Sequence, residues 1–193
     1  MGIPYIASLN RREAISTKAT QGFTVLELMM GLVIAAILGV LLLPAIQSVR
    51  NRVEKVNCMS NLRNLSAAAN LYIQQNGHWP QISPVLMSSD RIAYSKAWIA
   101  ALEPMGISAK GWICPTVQHS WGGPDYLKPD QIRIDYIPFP FDEKQMTPYR
   151  WSGSPWFVEN ADAHGNGNLI IFTDGSIREL NEVRKSPPSS AQN

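Results

Sequence analysis

Cysteine and histidine are scarce: this chain of 193 residues holds two cysteines and three histidines. Cys58 and Cys114 stand 56 positions apart, a spacing that gives no zinc-finger or redox motif. Charge of one sign is also lacking. Arg11, Arg12, Lys18 and Glu13 precede Phe23, and what remains of the 17 basic and 15 acidic residues is 14 of each. A neutral body gives no electrostatic case for a nucleic-acid partner. Catalytic patterns are missing too. Ser152, Gly153 and Ser154 lack the context of a nucleophile elbow. His78, at the helix exit, His119, in a Trp/Gly loop, and His164, near the C-terminal end, show no base-and-nucleophile pair, and Asp125, Asp130, Asp135 and Asp142 occur singly, as turn and cap residues do. The chain is therefore expected not to be an enzyme.

What is present is a long apolar run, GFTVLELMMGLVIAAILGVLLLP, from Gly22 to Pro44. As a helix from Phe23 to Leu43 it crosses roughly 30 Å of hydrocarbon, the thickness of a bilayer core. One carboxylate, Glu27, lies near its start, and a charge inside a membrane costs a few kcal/mol unless it has a partner. Pro44 removes one backbone hydrogen bond within the helical pattern, so a kink without a full stop is expected there. Beyond it Val49, Val53, Val56, Met59, Leu62, Leu65, Ala69, Tyr72 and Ile73 recur at helical spacing, and Asn76-Gly77 gives a stop, with Pro80 just after. The expected helix therefore runs over 23–75, with 23–46 its membrane half and 47–75 the half packed on a head.

Residues 76–184 read as a small α+β head. A helix is expected around Ala93 to Leu102. Strands are expected at Gly111–Cys114, Ile132–Pro138, Trp156–Val158, Asn168–Thr173 and Ser176–Leu180, the last two joined by the hairpin dipeptide Asp174-Gly175. The fold class is α+β, with the long N-terminal helix packed on a small antiparallel β head. The six tryptophans, Trp79, Trp98, Trp112, Trp121, Trp151 and Trp156, have unrelated spacings and read as core and loop packing rather than a carbohydrate-binding face. Residues 1–22 read as a basic leader and 185–193 as a disordered tail.

Gly22, Phe23, Thr24, Val25, Leu26 and Glu27, followed by the apolar helix with Pro44 near its far end, resemble the N-terminal signature of type IV pilins and type II secretion pseudopilins. The resemblance implies cleavage of the Gly22–Phe23 bond by a prepilin peptidase, N-methylation of Phe23, and a role for Glu27 in neutralising the terminal amine of a neighbouring subunit to set register. The physical order agrees. Gly22 precedes the apolar core, so cleavage there leaves that core on the mature chain, unlike a secretory signal. The new amine and Glu27 lie about one helical turn apart, so axially staggered helices bring the amine of one to the carboxylate of the next.

Further along, Cys58, Asn61-Leu62-Arg63, Leu65, Ala69, Tyr72, Asn76-Gly77 and Pro80 look like the helix exit of pseudopilin-like proteins common in planctomycete and verrucomicrobial lineages. Cys114-Pro115 is similar to a Cys-Pro step in that group. His164, followed after nine residues by Asp174-Gly175, is similar to its C-terminal His-x9-Asp-Gly motif, although Ser176 stands where many relatives carry histidine.

The resemblance implies these partners: the prepilin peptidase, other pilin or pseudopilin subunits, an inner-membrane assembly platform and inner-membrane lipid. It implies a single-pass protein of the bacterial inner membrane with its head in the periplasm, later part of a pseudopilus or pilus filament. In that oxidising compartment Cys58 and Cys114 are candidates for a disulfide, the alternative being two separate thiols. His164, Asn166 and Asp174 could in principle share a cation, but the turn accounts for Asp174, the glycine-flanked loop for Asn166, and a hydrogen bond to backbone for His164. No metal ligands and no cofactor are therefore assigned. Calcium stabilises the heads of some major pseudopilins, but its usual dense run of Asp and Asn is missing here. The competing reading is a monomeric membrane-anchored periplasmic binding module, which would need neither the Gly22-Phe23 junction nor Glu27.

Overall fold

The computed structural model describes residues 24–121 and 128–185. The chain divides into two compact units, Met1–Pro44 and Ala45–Asn193. Helix α1 (Val25–Asn76) is 52 residues long and passes through Pro44 without interruption. In the first unit every described residue from Thr24 to Pro44 is exposed. The apolar part of α1 is long enough to cross a membrane by length and composition.

In the second unit α1 turns one face inward. Cys58, Leu62, Leu65, Ala69 and Ile73 recur every three or four positions and are buried. The expected stripe also held Val49, Val53 and Val56, and these are exposed. At about 100° per residue they point roughly 140–200° away from Cys58, so one helix face cannot hold both sets. The helix ends where Gly77, with φ +77°, donates its N–H to the Ile73 carbonyl at 2.8 Å.

Two further helices follow, α2 (Val85–Ser89) and α3 (Arg91–Leu102). The α3 helix starts two residues before the expected Ala93, because the Asp90 carboxylate accepts the Ala93 N–H at 2.9 Å and caps its first turn. The strand expected at Gly111–Cys114 does not form. Ala109–Trp112 is a 3-10 turn, and α4 (Pro115–Trp121) begins directly after Cys114. Pro115 occupies the first helical position, where a missing N–H is harmless, and the Cys114 carbonyl accepts the Gln118 N–H at 3.0 Å.

The sheet is an antiparallel meander of four strands in the order β1 (Tyr136–Pro138), β2 (Pro155–Glu159), β3 (Leu169–Phe172) and β4 (Ile177–Glu179). Strand β1 is thus only the end of the expected Ile132–Pro138 segment. At the β3–β4 turn Gly175 has φ +77°, and Asp174 Oδ1 accepts the Ser176 N–H at 2.8 Å. Helix α5 (Leu180–Lys185) follows β4 directly. Both Leu180, expected in a strand, and Lys185, expected in the tail, are therefore helical. The leader and 186–193 lie outside the described residues.

Trp79, in the segment after α1, sits at the centre of the core. Its ring packs against Trp98 (6.0 Å between centroids), Phe141 (5.0 Å), Trp156 (5.4 Å) and Phe157 (5.8 Å). Trp112 extends the cluster to Trp98 and Phe157. Leu169 and Ile171 of β3 join this core, as strand alternation requires. Trp151 is exposed, with the Arg150 guanidinium 4.8 Å from its ring, and the Trp121 side chain lies outside what is described. Trp79→Ala is expected to lower the unfolding free energy by about 3–5 kcal/mol, and Val53→Ala on the exposed side of α1 by about 0.5 kcal/mol or less. Thermal or denaturant melts of the detergent-solubilised full chain check this; equal losses from both would mean the core is not centred on Trp79.

Candidate functional site

The first candidate region is the start of α1. Thr24 Oγ1 accepts the Glu27 N–H at 3.2 Å, and the Thr24 carbonyl accepts the Leu28 N–H at 3.1 Å. Thr24-Val25-Leu26-Glu27 thus has the form of a capping box, and an acid in the first turn faces the positive end of the helix dipole. The Glu27 side chain is exposed, and no ion pair to its carboxylate occurs among the described residues. Gly22 and Phe23, the expected cleavage and methylation positions, lie outside those residues.

The second region was not legible as a group. Cys58 projects from the inner face of α1. Cys114 immediately precedes α4, Glu159 ends β2, and His164 stands in the β2–β3 loop. Their ligand-type atoms all lie within 4.8 Å of one another. Both cysteines are free thiols and fully buried. His164 Nε2 is 3.3 Å from Glu159 Oε1 and 4.0 Å from Cys114 Sγ, and Cys58 Sγ is 4.0 Å from Thr116 Oγ1. The imidazole is 3 % exposed and the Glu159 side chain 0 %.

Local structure explains how these groups are held. The Cys114 N–H donates to Asp135 Oδ2 at 2.9 Å, and Arg133 Nε braces Asp135 Oδ1 at 2.9 Å. Glu159 Oε2 accepts the Leu169 N–H at 3.4 Å, and the Glu159 carbonyl accepts from Asn168 Nδ2 at 2.6 Å. Oε1 accepts no hydrogen bond although it is fully buried. The His164 loop is folded around Asp162, whose Oδ1 accepts the N–H groups of Gly165 and Gly167, both at 3.0 Å. Burial alone would lower the His164 pKa, but the Cys114 sulfur and the Glu159 carboxylate outweigh it and push it up to about 9. Contact with Cys58 and burial both push the Cys114 thiol up.

The two ends of the His-x9-Asp-Gly motif do not converge. His164 precedes β3 and Asp174 follows it, so four strand residues, roughly 13 Å, separate them. Asn166 donates to Glu179 Oε2, while Lys55 Nζ of α1 pairs with Glu179 Oε1. Asp174 and Gly175 serve the hairpin. Glu159 is the functional candidate that sequence reasoning missed. Its only signal was an acid directly following the apolar run Trp156-Phe157-Val158.

Comparison with protein-family models, curated proteins and solved structures finds no match to this chain. The arrangement itself defines the class in coarse terms: a long N-terminal apolar helix carrying a small α+β domain with a four-stranded antiparallel sheet.

Gly167 holds the His164 loop against α5. Its φ is +92°, and a Cβ there would come within 3.0 Å of Leu180 Cβ and 3.1 Å of the Asn181 amide nitrogen. A Cβ at Gly175 would meet nothing within 4 Å, so only its φ resists substitution. Gly167→Ala is therefore expected to destabilise more than Gly175→Ala, whose cost is about 1 kcal/mol. Paired thermal melts of the full chain read the difference, and the reverse ranking would refute the close approach to α5.

Proposed function

We propose that this chain is a prepilin-like structural subunit: processed by a prepilin peptidase after Gly22, held in the bacterial inner membrane with its head in the periplasm, and assembled into a type II secretion pseudopilus or type IV pilus-like filament. The observation that carries this reading is the combination within α1. An unbroken, fully exposed apolar segment opens with one carboxylate that has no ion pair among the described residues, and the same helix continues into the core of a small head. Exposed apolar surface on that scale requires a cover, supplied first by lipid and then by other copies of the helix.

Glu27 fits this function better than a plain anchor. In lipid or a filament core its carboxylate needs a cation, and the α-amine of a processed Phe23 on an axially displaced neighbour supplies one at the right spacing. The capping role of Thr24 and Glu27 is compatible with that, because the cap uses the Glu27 N–H and leaves the carboxylate for the neighbour. The chain would act by polymerisation rather than turnover, with other pilin or pseudopilin subunits and an inner-membrane assembly platform as partners.

Mass spectrometry of the mature N-terminus, after co-expression with a prepilin peptidase, is expected to find N-methylated Phe23. Recovery of an intact Met1 terminus under those conditions would overturn the reading. Glu27→Ala is expected to leave cleavage largely intact and to impair filament assembly in a reconstituted system. Normal filaments from that variant would remove the register role while leaving the processing result to stand.

A further inference from the structure

We propose that Cys58, Cys114, Glu159 and His164 form a closed structural metal site for zinc, which ties α1, the start of α4, the end of β2 and the β2–β3 loop to one another. The inference concerns the head alone and does not rest on the filament reading.

Three observations carry it. The first is the donor set. Two thiols, an imidazole and a carboxylate from four separate segments place one donor atom each within 4.8 Å of one another. Two sulfurs and a nitrogen select a borderline-soft, tetrahedral cation such as Zn2+ over calcium or magnesium, which take all-oxygen shells. The second is an orphaned group. Glu159 Oε1 is fully buried without a hydrogen bond, while Oε2 is occupied by the Leu169 amide. The His164 imidazole at 3.3 Å faces Oε1 without forming a hydrogen bond, and a cation between Oε1 and Nε2 would satisfy both atoms.

The third observation is the spacing. In a tetrahedron with metal–oxygen and metal–nitrogen bonds of about 2.0–2.1 Å, the oxygen–nitrogen edge is about 3.3–3.4 Å. The Glu159 Oε1 to His164 Nε2 distance is 3.3 Å. A sulfur–nitrogen edge is about 3.5–3.6 Å, so the Cys114 Sγ to His164 Nε2 distance of 4.0 Å needs a contraction of roughly 0.4 Å.

The surroundings suit a metal held for structure. All four positions of the tetrahedron are filled by protein, leaving none open for substrate. Outer partners are in place: Asp135 fixes the Cys114 backbone, and Leu169 orients the Glu159 carboxylate. A recess bordered by Arg52, Lys55, Thr116, His164 and Gly165 reaches the imidazole from solvent. With two thiolates and one carboxylate around Zn2+ the site carries one net negative charge, which Arg52 on the rim offsets, Lys55 being paired with Glu179. Loading displaces one proton from each thiol and one from the imidazolium, which leaves His164 neutral with its Nε2 lone pair on the metal.

The test uses the full chain, purified in detergent under reducing conditions and loaded with zinc or cobalt(II). Elemental analysis is expected to find about one equivalent of zinc per chain. The cobalt form is expected to show tetrahedral ligand-field bands with a thiolate charge-transfer band. Cys114→Ser and Glu159→Gln are expected to lose or shift those spectra, and Asp174→Asn, at the far end of β3, to keep them. On the unmutated chain, where no variant need fold, a chelator is expected to lower the melting temperature and to expose two alkylatable thiols. Absence of bound metal from chain with both thiols reduced would overturn the proposal. So would a native mass two hydrogens short that persists without metal, which would make the pair a disulfide. Metal retained by Cys114→Ser with unchanged spectra would place the ion elsewhere and overturn the proposal as well.

Discussion

The structure depends on a change in solvation along one helix. Up to Ile46, Glu27 apart, α1 presents apolar side chains on every side to its surroundings, and from Cys58 it buries a single face. An α-helix satisfies its own backbone polar groups, so the same backbone serves both environments without rearrangement. Only the side-chain pattern changes. Leucine, isoleucine and valine all around the axis suit lipid or neighbouring helices. A stripe of Cys58, Leu62, Leu65, Ala69 and Ile73, with polar residues elsewhere, suits the core of a small domain.

The head is organised where that stripe meets the aromatic cluster around Trp79. The largest fully buried side chains are the rings of Trp79, Trp98, Trp112, Trp156, Tyr136 and Phe157, and several pairs meet edge-on, as their quadrupoles favour. The indole N–H groups of Trp79, Trp98 and Trp112 make no hydrogen bond, so these rings contribute as apolar bulk. Polar groups are instead gathered at one side, where α1 passes the ends of β2 and β4. There Glu179 joins Lys55 to Asn166, and Glu159 faces His164 and the two thiols. In a low-dielectric setting each such group must be matched, which is why this corner constrains the positions of four separate segments.

Local signals were legible where a short-range rule governs. The Asp174-Gly175 turn, the Gly77 stop and the long apolar run each depend on a few adjacent residues, and each forms as those residues dictate. Errors fell where a competing local rule won. Pro115 started a helix where Gly111–Cys114 looked like a strand, and Asp90 capped α3 earlier than the apolar pattern suggested. Val49, Val53 and Val56 fitted a spacing rule with enough slack to admit two helix faces, and only packing selected the face of Cys58.

The amino-acid sequence by itself determined the long apolar helix, its single early carboxylate, its stop at Gly77 and an antiparallel hairpin at Asp174-Gly175. Those features follow from hydropathy, backbone propensity and turn chemistry within a few residues. The tertiary structure decided that Cys58, Cys114, Glu159 and His164 share one buried pocket while Asp174 stands apart. No spacing rule links positions 58 and 164, because their meeting depends on α1 packing across the end of a sheet whose strands lie far away in the chain. A motif that ties His164 to Asp174 in sequence is thus divided in space, since an extended strand carries its two ends apart by its own length.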